Sequence, residues 1–211
     1  IDNTLLDFHS GKLADYTKKE EERGIAELRA ARAGMNAYGP EGLTGQELLT
    51  WKIGAWFLDD LLRQAELRYS GYRVNQISGV TVNLPQFLTD THVIKNKKSV
   101  RRYLSRLAEF GRVLRETRER VIDDRANGVI PPDFVIEKAL VGMTKFIADG
   151  AAENPLVTTL EPKLEALEDV DDVTASQFLR EATALVATEV IPGYQAMIAL
   201  FESMLPEASH D

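Results

Sequence analysis

Cysteine is absent from the 211-residue sequence, and histidine occurs only three times. The first absence excludes disulfides, thiol nucleophiles and thiolate metal ligands. It leaves localisation open, because a cysteine-free chain suits either redox environment. The histidines, His9, His92 and His210, share no helical turn. A zinc helix of the H-E-x-x-H kind needs ligands at i and i+4 on one face, and the sequence contains none. G-x-S-x-G, a glycine-rich phosphate loop and a recognisable two-carboxylate pattern are missing as well. No apolar run approaches the roughly 20 residues that cross a bilayer. The chain opens Ile1-Asp2-Asn3, without Met and without a basic-then-apolar leader, and reads as processed, trimmed or excerpted.

What is present describes a helical protein with a real core. Hydrophobic residues make up 44% and charged residues 27%, with a net charge of −8, a balance that fits a soluble globular chain. Charge is uneven. Lys95 to Arg125 holds eleven basic against five acidic residues. Such a segment can bind an anion or nucleic acid, but pairing with acids of the same fold is the expectation. Glu153, Glu161, Glu165, Glu168, Asp169 and Asp171 are candidate partners.

Helix signals dominate. Thr17-Lys18-Lys19-Glu20 is a capping box, followed at helical spacing by Ile25, Leu28, Ala31 and Met35. Tyr38-Gly39-Pro40 is a stop. Thr44 to Glu47 opens a second helix with two apolar faces, Leu49, Ile53, Trp56 and Leu67 on one, Trp51, Leu58, Leu62, Ala65 and Tyr69 on the other. A helix apolar nearly all round is expected at the centre of a bundle. Asp60 falls among Leu49, Ile53 and Trp56 and needs a partner there.

Residues 71–96 lack a helical stripe and read as one ordered loop with a brief helix near Pro85 to Leu88. Loops of this length are often functional. A long amphipathic helix is expected from about Ser99 to Asn127, with Tyr103, Leu107, Phe110, Leu114 and Val121 inward and Arg101, Arg112 and Arg115 outward. Pro131-Pro132-Asp133 opens another helix, with Val135, Ile136, Leu140, Met143 and Ile147 inward and Gly150 at its end. Asn154-Pro155 is an N-cap with Pro at the first position. Thr174 to Gln177 reads as a third capping box, and Pro192-Gly193 should kink or split the last helix. No internal repeat occurs. The fold class is therefore all-α, an irregular multi-helix bundle, treated as a single domain over 1–211.

One series of segments carries a family resemblance. It runs from the helix Leu48 to Leu67 through Asn75-Gln76-Ile77-Ser78-Gly79 and Leu84-Pro85. It continues with Arg102-Tyr103-Leu104-Ser105-Arg106-Leu107, Gly128 to Pro132, and Asn154-Pro155-Leu156. This order resembles the N-terminal half of a large bacterial family of unknown function, over about Leu13 to Asp211. Full-length members are similar to gluzincin-type zinc metallopeptidases with a helical carboxypeptidase-like fold. The resemblance places the zinc-binding helix in a C-terminal half, so it transfers no catalytic residue and no metal ligand to this chain. It implies a non-catalytic half-shell walling a peptide-binding cleft. Zinc is the implied cofactor of the full-length protein and of no residue here. The alternative is a stand-alone helical interaction module.

The best candidates for a substrate-facing surface are Asn75 and Gln76 of the loop, with Arg102, Tyr103 and Arg106. The loop offers amides to a peptide backbone. An arginine can clamp a carboxylate in bidentate fashion, or else tie the loop to a buried acid such as Asp60. His92 reads as an ordinary surface or packed histidine. Expected partners are the C-terminal half of the same protein or a peptide, with a homodimer as an option and neither nucleic acid nor membrane.

Overall fold

The computed structural model describes residues 11–210, which places His9 and Asp211 outside the described residues. Helix is the dominant structure of the described residues, with no strand among them, as the periodicity predicts. They divide into two compact units, residues 16–71 and residues 11–15 with 72–210.

The smaller unit is a helical hairpin. Helix α1 spans Lys18–Tyr38, and its Thr17 cap accepts the Glu20 amide at 3.2 Å. Gly39, at φ 70°, ends it by returning its amide to the Met35 carbonyl. This is the left-handed position that glycine fills without a Cβ penalty. Helix α2 spans Gly45–Glu66. Thr44 is its N-cap residue but makes no side-chain cap. One face of α2 packs on α1: the Trp51 indole donates to Met35 O at 3.2 Å, and Gly54 lies under the Met35 side chain. Arg32 closes the hairpin with a two-bond ion pair to Asp59. Only Ala55 is buried in this helix, so α2 is not the central helix of a bundle that its two apolar faces predict. The stripe Leu49, Ile53, Trp56 and Leu67 faces solvent. Asp60 finds its partners on its own helix, Arg63 at 3.0 Å and Gln64 at 2.7 Å.

The larger unit holds the core. Residues 71–79 are a loop, but helix starts at Val80, earlier than the sequence reading places it. Helix α3 (Val80–Gln86) runs into a π-helical turn, Phe87–Thr91. The β-branched run Val80-Thr81-Val82 hides this start, because it has a strand's propensity and is held helical by burial of Val80, Thr81 and Leu84. The long helix expected from Ser99 is two helices, α4 (Lys97–Ala108) and α5 (Phe110–Ala126), broken at Glu109. Their inward stripe is as expected: Tyr103, Leu107, Phe110, Leu114 and Val121 are all buried. The start of α4 is a reciprocal box between Asn96 and Ser99, which the sequence reading misses.

Next come α6 (Asp133–Ile147), the short α7 (Pro155–Thr158) capped by Asn154, and α8 (Glu161–Glu165). Helix α9 (Asp172–Leu185) begins three residues before the expected box, with Asp171 as cap accepting from the Thr174 amide at 2.7 Å. A π-helical turn, Val186–Val190, then precedes α10 (Ile191–Met204). This is the interruption that Pro192 forces, since proline removes one backbone bond of the preceding turn. Asp172 to Glu207 is long and apolar enough to cross a membrane by length and composition. Part of its apolar surface is taken up by the protein: Phe178, Ala182, Val186, Val190, Tyr194, Met197 and Phe201 belong to the core of this unit.

Helix α10 packs on α5 and α6, and α9 packs on α4. Close approach depends on glycine at two points. A Cβ on Gly193 would lie 2.6 Å from Leu114, and one on Gly111 would lie 2.5 Å from Glu189. Two buried tyrosines pin the core by hydroxyls that need an acceptor once desolvated. Tyr103 donates to Leu156 O at 2.6 Å and Tyr194 to Thr81 O at 2.7 Å. Burial pushes both hydroxyls well above the ordinary tyrosine value.

Candidate functional site

The loop is closed by its own side chains. Asn75 Oδ1 accepts the amides of Ile77 and Ser78, both at 2.8 Å, and its Nδ2 donates to Ser78 Oγ at 2.9 Å. The side chain imitates a backbone turn, as asparagine commonly does. Gly79 completes the turn at φ 102°, where a Cβ would lie 2.4 Å from the Arg73 carbonyl. The expected hydrogen-bonding amide of Asn75 is thus occupied within the loop. Gln76 is half-buried, and its Oε1 has no hydrogen-bond partner among the described residues.

The loop is anchored by a pair that the sequence reading does not contain. Arg73 Nε donates to Asp124 Oδ2 at 2.7 Å, and the Asp124 side chain is only 5% exposed. Burial holds this carboxyl above its ordinary value despite the nearby charges of Arg73 and Arg120. One signal was available. Asp124 continues the buried stripe Leu114, Thr117 and Val121 at helical spacing, and a carboxylate on a core stripe demands a cation. The cation is Arg73, and neither Arg102 nor Arg106 supplies it.

The other three candidates lie on α4. Tyr103 is buried at 1% exposure with its hydroxyl engaged, so its place is in the core and not on a surface. Arg102 and Arg106 are half-buried, one turn apart on one face. Arg106 Nη1 donates to His92 Nδ1 at 2.6 Å, its Nε to Lys12 O at 3.3 Å, and its guanidinium lies 4.9 Å over the Phe87 ring. His92, 7% exposed, is a packed histidine. Its ring meets Tyr103 edge-on at 5.5 Å. Because arginine only donates and a carbonyl only accepts, the ring carries its proton on Nε2, which donates to Ser99 O at 3.2 Å. His92 is held below its ordinary value, first by burial, then by Arg106, Lys163 and Arg102. The hydrogen bonds of Asn75 and those of Arg106 go to different groups.

Elsewhere in the basic segment, Arg112 pairs with Glu109 and Glu116 of its own neighbourhood, and Arg125 with Glu207. Of the acids expected to neutralise it, Asp169 takes the Lys97 amide at 2.9 Å. Among the described residues no three of His, Cys, Asp and Glu gather where they would hold a metal ion.

Residues 2–211 match the family described as bacterial protein of unknown function, DUF885. The chain belongs to that family. This DUF885 chain is also similar in structure to a candidate lipoprotein from Colwellia psychrerythraea, known from its crystal structure. The TM-score is 0.82 at 22% identity, over 95% of this chain and 36% of the other. At that identity the likeness shows the fold. The chain spans about a third of the length of that solved chain. No curated protein matches it.

Proposed function

We propose that this DUF885 chain is the non-catalytic helical N-terminal region of a longer, zinc metallopeptidase-like protein, and that it walls a peptide-binding cleft. The observation that carries the reading is the outer stripe of α2. Leu49, Ile53, Trp56 and Phe57 are 49, 56, 62 and 54% exposed on successive turns. Covering each such side chain is worth about 1.5–3 kcal/mol, and contiguous apolar surface of this kind marks an interface. The order of sequence segments supports the same reading, as does the greater length of the solved chain with this fold. The described residues do not fit zinc, so no chemical step is assigned to them. A peptidase reaction would belong to the remainder of the protein.

The alternative, a stand-alone interaction module, draws on the open apolar hollow of about 530 Å³ at the hairpin tip, lined by Met35, Tyr38, Leu43 and Trp51. Hydrogen exchange separates the two readings. In a full-length DUF885 protein carrying this region, residues 49–57 should exchange at least about tenfold more slowly than in the 211-residue chain. Equal exchange in both would leave the stripe uncovered and reject the covering role.

A further inference from the structure

Helix α2 carries two seams of the same spacing, and one of them is covered within the hairpin. The inner seam is Trp51, Ala55, Leu58, Leu62 and Ala65, buried or half-buried throughout. Its steps are four, three, four and three residues, the repeat by which one helix packs along another at a shallow angle. Helix α1 covers this seam and runs antiparallel to it. Met35 lies on Gly54, Arg32 pairs with Asp59, and Ile25 lines one hollow with Leu62 and Ala65. The two helices advance about one residue for one along this contact, as two helices of equal rise must.

The outer seam is Leu49, Ile53, Trp56, Asp60 and Arg63, prolonged by Leu67 at the C-cap. Each member stands two positions before a member of the inner seam or before Tyr69. Two residues turn a helix by about 200°, so the repeat is copied on the opposite face. There it is exposed, apart from the half-buried Asp60. The polar pair within it has a direction. Both Asp60 oxygens have donors, Arg63 at 3.0 Å and Gln64 at 2.7 Å. Arg63 gives one nitrogen to that pair and is the more exposed partner, so its further N–H groups suit an acid. A polar position inside an apolar seam fixes the register of a packed helix.

We infer that a further α-helix, from the part of the longer protein outside residues 1–211, packs along the outer seam of α2. Its own apolar residues repeat at three and four positions, and an Asp or Glu of it faces Arg63. The inference rests on the covering role proposed above and names the element that does the covering. The match takes in 36% of the solved chain with this fold, which leaves ample length for such a helix.

The test uses a full-length DUF885 protein carrying this region. Thr50, Phe57 and Gln64, exposed and seven residues apart on one flank of the seam, are replaced singly by the photo-cross-linker p-benzoylphenylalanine. Each step along α2 is about 10 Å. The same distance is about seven residues on a covering helix and about three on an extended strand. Mass spectrometry should find the cross-linked residue moving about seven positions per step along one segment. That segment should carry the apolar repeat, with an acid within one turn of the residue reached from position 64. Steps of about three, cross-links to unrelated segments, or none at all overturn the helix. In each of those cases slowed exchange at residues 49–57 still upholds the covering role. Cross-links only between differently isotope-labelled copies overturn the source, and a helix without that acid overturns the charge assignment. Unslowed exchange together with no cross-link outside residues 1–211 rejects the covering role and the helix alike.

Discussion

His92 and His210 show how one residue type takes opposite characters from its surroundings. Burial and three cations hold His92 below 6.5, whereas Asp133, 2.7 Å from the exposed His210 ring, holds that residue above 6.5. The signs follow by linkage. For His92, stability is full above the unfolded value of 6.5 and is lost as pH falls below it, because the unfolded chain takes the proton first. For His210, the contribution is full below 6.5 and is lost as pH rises through the raised folded value. A single NMR titration checks both, and Asp133→Asn should return His210 to about 6.5. Two histidines titrating together near 6.5 in the native chain would reject this account. Arg73→Ala makes a second test at this scale. It strands the Asp124 carboxylate, and breaking a buried pair costs about 3–5 kcal/mol. Urea unfolding that shows less than about 1 kcal/mol would mean that Asp124 is neutral or rehydrated.

The start of α3 and the meeting of α5 with α10 depend on glycines of two kinds. At Gly79 an added Cβ meets backbone, the Arg73 carbonyl at 2.4 Å, and the backbone there is left-handed. At Gly193 it meets the end of a flexible Leu114 side chain. Gly79→Ala should therefore cost about 2 kcal/mol or more, and Gly193→Ala about 1–2 kcal/mol. Melting temperatures of the two variants give the order, and the reverse order would show that the loop relaxes more easily than the helix crossing. Several element boundaries were legible in the sequence for local reasons. The Thr17 cap, the Asn154-Pro155 start and the Tyr38-Gly39-Pro40 stop need only neighbouring residues. The break at Glu109 was not legible. Glu109 accepts the Leu13 amide at 2.8 Å and pairs with Arg112, so it is held partly by a segment 96 residues away.

Across the whole molecule, stability and the exposed stripe of α2 should be separable. Ile53 and Trp56 are more than half exposed, so Ile53→Gln with Trp56→Ser should change unfolding free energy by no more than about 0.5 kcal/mol per site. The same pair should reduce binding of an apolar dye. A large loss of stability in urea unfolding would mean that the stripe is core after all. The candidate site divides in the same way. Arg106 was visible as a basic residue beside an inward stripe, while its partners His92, Phe87 and Lys12 share no spacing with it. Asn75 was visible as a turn former, and its role is the turn.

The sequence by itself determined the all-α class, the inward stripe from Tyr103 to Val121 and the Thr17 and Asn154 caps, because each depends on 3.6-residue periodicity or on bonds within one turn. Only the tertiary structure decided that one apolar stripe of α2 stays in solvent, that Asp124 belongs to Arg73, and that Arg106 rests on a neutral histidine. Those outcomes depend on which distant segments meet, and contacts between residues 14 to 96 positions apart leave no period in the chain to read.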